Sequence, residues 1–156
     1  MKPENNYQAV MQVNVPLQAA FESISQHIPQ WWTANFEGCS EREGDQFTVT
    51  FGETFSTFVV SELIPDRRIV WLTKDCNLHF LRDKQEWKDT QIVWEFQEGD
   101  EGVRLTMTHV GLNETKECFT DCTGGWDHYV KRSLFDLLTK EKGQPDHADY
   151  SAKYKQ

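Results

Sequence analysis

The stretch that constrains this chain most is residues 121–144. Its apolar residues Trp126, Tyr129, Val130, Leu134, Leu137 and Leu138 recur at steps of three and four, which puts them on one stripe of a helix. Ser133 sets a small polar side chain within that stripe. Gly124 and Gly125 come just before it, and Gly143 then Pro145 close it, the order expected at a helix C-terminus. A helix with one apolar stripe must bury it against another element. The rest of the chain therefore has to supply a surface long enough to receive it.

That surface reads as strands. Residues 7–15 alternate, with Tyr7, Ala9, Met11, Val13 and Val15 on one side. Pro16 suits a first helical turn, and Leu17, Ala20, Phe21, Ile24 and Ile28 follow at helical spacing until Pro29 limits the helix. Trp31 and Trp32 open an irregular stretch through Asn35, Gly38 and Gly44; one indole is expected in the core and the other toward a neighbour or a cavity mouth. Residues 46–51 alternate again, and the short turn at Gly52-Glu53 predicts a hairpin with residues 54–64. In that second strand Phe55, Val59 and Leu63 oppose Phe58, Val60 and Ile64, so both faces are partly covered or a bulge switches them. A strand follows at 68–74, a short one is expected near 78–81, and a charged loop carries Trp87, which should fold back onto the body. Residues 90–97 point Ile92, Trp94 and Phe96 inward; residues 103–111 point Val103, Leu105, Met107 and His109 inward. Sequential strands with helices at both ends of the run make an α+β chain.

Composition narrows the partners. A formal charge of −9 and a pI of 5.0 repel phosphate backbones and anionic lipid heads, so neither nucleic acid nor a membrane surface is an expected partner. No apolar run approaches the roughly 18 residues of a spanning helix, and the first residues are polar, so a cytoplasmic protein is expected. The length fits one domain over 1–145, with a polar tail over 146–156. In a reducing compartment the four cysteines read as free thiols. Cys118 and Cys122 could share a helical face, but His109 and His128 offer no zinc spacing, so no metal and no cofactor are expected.

Several short stretches resemble one family. They are Trp31-Trp32; Glu62-Leu63-Ile64-Pro65 with Arg68-Ile69-Val70-Trp71; Glu86-Trp87 before Thr90; Thr108-His109-Val110-Gly111-Leu112; Glu117-Cys118-Phe119; Gly125-Trp126; and Ser133-Leu134. Their order is similar to the homologues of the activator of the heat-shock protein 90 ATPase, within the START and Bet v 1-like superfamily. The resemblance covers roughly residues 7–145. It implies a helix-grip fold: a curved antiparallel sheet of six to seven strands around a long C-terminal helix, with two short helices after the first strand. It also implies a hydrophobic cavity between sheet and helix. Superfamily members bind lipids, polyketides or other apolar molecules, and some are cyclases. The eukaryotic namesake stimulates a chaperone ATPase with the help of an additional N-terminal domain.

Candidate chemistry centres on His109. It points inward beside Met107 and, on this reading, across from Trp94; a neutral imidazole there could bond a ligand or act as a base. Trp71, Trp94, Phe96, Met107, Trp126, Tyr129, Val130 and Ser133 are the other candidate pocket residues, since ligand sites are largely apolar with a few polar anchors. Glu86 and Glu95 read as solvated surface carboxylates. No phosphate loop, nucleophile elbow or His-Glu-x-x-His motif occurs. The expected function is binding of a small hydrophobic or amphipathic ligand. The alternatives are a cyclase- or hydrolase-type enzyme using His109, and regulation of a chaperone ATPase or another protein partner.

Overall fold

The computed structural model describes residues 6–79, 81–113 and 115–146. Seven strands form one antiparallel sheet in the order β1-β7-β6-β5-β4-β3-β2. They are β1 (Tyr7–Val13), β2 (Phe36–Gly38), β3 (Gln46–Phe51), β4 (Thr54–Ile64), β5 (Arg68–Asn77), β6 (Gln91–Gly99) and β7 (Gly102–Val110). Helices α1 (Leu17–Ser25) and α2 (Ile28–Trp31) lie between β1 and β2. A C-terminal rod runs through α3 (Phe119–Trp126), a π-helical stretch (Asp127–Leu134) and α4 (Phe135–Lys140). This is the helix-grip architecture.

The strands form where the sequence alternates, because a period of two puts every second side chain on the core face. In β1, Tyr7, Ala9, Met11 and Val13 are buried and the residues between them exposed. The ambiguous β4 is resolved by irregular register. Phe58 and Val60 point inward opposite Thr73 and Trp71, and then Ser61 is bulged out before Glu62 pairs with Val70. The extra residue flips the face, so Leu63 packs on the core and Ile64 is left exposed. At the β6–β7 turn, Gly102 has φ 102° and a Cβ there would lie 2.2 Å from the Val13 carbonyl oxygen. Both facts demand glycine.

Four expectations change. The irregular stretch contains β2, which pairs Phe36 with Val49. The short strand expected at 78–81 is a turn among its described residues, where the Leu81 N–H donates to the Leu78 carbonyl at 2.9 Å. Gly124 and Gly125 sit inside α3 rather than before it. The rod ends on Glu141 in the left-handed region (φ 61°) and not on Gly143. Gly143 instead permits close approach, since a Cβ there would meet the Gln30 carbonyl oxygen at 2.3 Å.

Two anchors fix the rod and the segment after it. Buried Ser133 donates to the Trp31 carbonyl (2.7 Å) and accepts the Gln144 N–H (2.6 Å). Asp146, expected to begin a loose tail, is tied to the body. Its N–H donates to the Trp32 carbonyl at 2.9 Å, and its own carbonyl accepts the Ala34 N–H at 2.7 Å. Residues 147–156 of the expected tail lie outside the described residues. A Ser133→Ala substitution removes both bonds of one hydroxyl in a dry site. It should lower unfolding stability by about 1–3 kcal/mol in chemical denaturation; an unchanged midpoint would contradict this anchoring role.

Candidate functional site

Between the rod and the β3–β4 end of the sheet lies a cleft of about 380 Å³. The sheet side contributes Val49, Phe51, Thr54, Phe55 and Ser56, with Leu78 and Trp87 from the segment after β5. The rod contributes Asp121, Cys122, Gly125, Trp126 and Tyr129; Trp32 and Asp146 complete the lining. The rings form one continuous wall. Trp87 stacks on Trp126 (centroids 5.8 Å, interplanar 5°), Trp126 meets Trp32 at 4.9 Å, Trp32 meets Phe51 at 6.0 Å, and Phe51 meets Tyr129 at 5.8 Å.

Trp31 and Trp32 are both buried in the core, and Trp32 also borders the cleft. Trp31 is fully buried, donates its indole N–H to the Ser23 carbonyl at 2.8 Å and packs edge-on against Trp94. Trp32 stacks on Trp31 and faces the cleft. Helix α2 ends at Trp31, and Trp32 caps it with its N–H donating to the Ile28 carbonyl at 2.9 Å.

Behind the wall stands His109. The Trp126 indole N–H donates to His109 Nδ1 at 3.0 Å. An indole nitrogen can only donate, so Nδ1 carries no proton and the neutral ring holds its proton on Nε2. Nε2 lies 2.9 Å from Thr90 Oγ1 and donates to it, and that hydroxyl donates to the Trp87 carbonyl at 2.6 Å. The Trp87 ring closes the loop, edge to face with the imidazole at 4.6 Å. Burial first, and then the charge of Lys116, pushes the imidazole down from 6.5 to about 3. His109 is thus a neutral spacer between sheet and rod.

The base of the rod is also fixed by charge. Glu86 accepts the N–H groups of Glu117 (2.7 Å) and Cys118 (3.0 Å), where the free donors of a helix N-terminus favour a carboxylate. It is therefore a cap rather than a solvated loop residue. Glu117 in turn accepts the N–H groups of Arg82 and Asp83, which hold its carboxyl below the usual range. Glu95 does stay on the surface, paired with Arg68 at 3.0 Å. Cys118 and Cys122, read from sequence as free thiols, are paired as a disulfide. Their spacing across one turn brings the Cα atoms to 5.5 Å, within disulfide range. Tyr7 donates to Asp127 Oδ1 at 2.6 Å and ties β1 to the rod; burial and then that carboxylate push its phenol upward.

Of the residues singled out from sequence, Trp126 and Tyr129 line the cleft. His109 lies directly behind it. Its partner on β6 is Ile92, while Trp94 is opposite Met107, a two-residue correction to the expected pairing. Trp71, Trp94, Met107, Val130 and Ser133 are in closed core, and Phe96 packs on Phe21 of α1. Among the described residues the indole N–H groups of Trp71, Trp87 and Trp94 find no hydrogen-bond partner, and each ring belongs to a T-shaped pair. Sequence reading missed Phe51, Phe55 and Gly125 as lining residues. The first two stand at the hairpin where the sheet outruns α1 and α2, which periodicity does not reveal.

A curved sheet gripping a C-terminal rod, with an aromatic cleft between them, defines a domain of the START and Bet v 1-like superfamily. The chain belongs to the family described as Activator of Hsp90 ATPase homolog 1-like protein, whose profile matches residues 14–139. It is similar to the solution structure of the Aha1 dimer from Colwellia psychrerythraea (TM-score 0.73, 20% identity, 88% of this chain and 98% of that one). It is also similar to DynU16, a protein of the dynemicin biosynthetic locus (TM-score 0.68, 18% identity), covering 94% of this chain but 52% of DynU16. A third likeness is to MLL2253 from Mesorhizobium loti (TM-score 0.70, 13% identity, 90% of this chain and 100% of that one). No curated protein matches the sequence. At these identities the structural likeness carries the fold.

The imidazole gives a pH signature. Between pH 6.5 and about 3 the unfolded chain binds a proton that folded His109 refuses. Its contribution to stability is complete above pH 6.5 and is lost as pH falls, by at most about 1.4 kcal/mol per unit. From about pH 7.5 to 5.5 the protein should lose about 1.4 kcal/mol that a His109→Gln variant, less stable throughout, does not lose. Parallel curves for the two proteins in denaturant titrations would refute a buried neutral imidazole.

Proposed function

We propose that the cleft binds a small aromatic or amphipathic molecule. The observation that carries the reading is Gly125. A glycine inside a helix costs about 1 kcal/mol relative to alanine, so its presence in α3 calls for a reason. Packing does not supply one, because a Cβ at 125 would meet nothing within 4 Å. What the missing side chain provides is room in the cleft that residue 125 lines. The cleft volume of about 380 Å³ falls at the small end of ligand pockets, roughly 300–1,000 Å³. Burying about 150 Å² of apolar ligand surface there would contribute about 4 kcal/mol before ordering costs. Membership of a superfamily that generally binds ligands supports the same reading.

The enzymatic alternative gains less support. Both His109 nitrogens are engaged inside the core, and the ring is fully buried behind Trp126. A general base must reach the proton it abstracts, and this one faces a tryptophan. Family membership favours a second reading, action on a chaperone ATPase. Stimulation of Hsp90 hydrolysis by the purified chain, unchanged when the cleft is filled, would separate that role from ligand binding.

The direct test fills the space. Gly125→Leu should lower the affinity of any molecule found by native mass spectrometry or thermal-shift screening at least about tenfold, while the melting temperature holds or rises by the helix-propensity gain. A variant that binds such a molecule as tightly as the parent would place the binding elsewhere.

A further inference from the structure

The lining of the cleft has a sign, and this inference rests on the binding reading above. Trp32, Phe51, Phe55, Trp87, Trp126 and Tyr129 present six aromatic rings. Two lining residues are carboxylates, Asp121 and Asp146, and among the described residues no lysine, arginine or histidine lines the space. A ring that turns its face to the cleft presents the negative lobe of its quadrupole, the same sign as the two carboxylates.

We infer that the ligand is an organic cation, an amine or quaternary ammonium attached to an aromatic or apolar body. An ammonium at the face of a tryptophan gains roughly 0.5–2 kcal/mol, more as it is desolvated. The rings of the wall with most accessible surface are Phe51, Phe55 and Tyr129, each half-buried, while Trp126 is packed against Trp87 and Trp32. The carboxylates contribute differently. Asp121 is exposed on α3, whereas Asp146 is half-buried and close enough for its charge to act on the Tyr129 phenol. That charge adds to burial in pushing the phenol up to about 12, so Tyr129 stays neutral and offers an acceptor oxygen. A fatty acid or phosphate ester would instead bring a third negative charge against two carboxylates, in a chain of net charge −9.

A matched ligand series on the full chain tests this by calorimetry or NMR titration. The probes are benzyltrimethylammonium, its neutral carbon isostere neopentylbenzene, and phenylacetate. The cation should bind about tenfold tighter than the isostere, which corresponds to about 1.4 kcal/mol, and phenylacetate should bind most weakly. Asp121→Asn should weaken the cation about threefold and leave the isostere unchanged; it keeps the backbone bonds of the parent. If the isostere or phenylacetate binds as tightly as the cation, the inference is overturned while the cleft remains a binding site. If none of the three binds, the binding reading fails with it.

Discussion

Trp126 donates its single hydrogen bond to His109, and the geometry around the cleft depends on that bond. The donor comes from the rod and the acceptor from β7, so one contact sets the distance between the two layers. It also sets the tautomer. A proton on Nε2 makes Thr90 an acceptor, which frees the Thr90 hydroxyl to donate to the Trp87 carbonyl. Trp87 then lies flat on Trp126. Rod, sheet and loop are joined in a closed circuit whose members are neutral, and its hydrogen bonds are strengthened by the low dielectric of the core.

From this fixed line the two ends of the sheet diverge. Toward β1, the helices α1 and α2 fill the concavity, with Trp31 against Trp94 and Phe21 against Phe96. Toward β3 and β4 neither α1 nor α2 fills the space, and the cleft bordered by residue 125 stays open beneath the rod. Glu86 and Glu117 hold the start of the rod against the loop before β6. Ser133 ties its later part to the Trp31 carbonyl of α2.

Much of the architecture was legible because alternation and helical spacing are local. The strands and the apolar stripe of the rod come from such patterns, and the competing faces of β4 pointed to a bulge that Ser61 supplies. The site was harder to read for a physical reason. Periodicity tells which side chains point inward, but not which positions another element has already covered. Trp71 and Trp94 point into solid packing, while Phe51 and Phe55 border open space. Glu86 looked like surface because its two partners lie 31 and 32 residues away. Gly124 and Gly125 looked like a helix boundary because glycine usually is one; both stand inside α3.

The central claim is that His109 is a neutral imidazole locked between an indole donor and a hydroxyl acceptor. Nitrogen-15 NMR of the imidazole tests it most directly, with the pH taken from about 7.5 to 4.5, a range in which an ordinary histidine titrates. The account predicts a protonated Nε2 and an unprotonated Nδ1, with neither signal moving across the range. Protonation of both nitrogens near pH 6, or a proton on Nδ1, would contradict it.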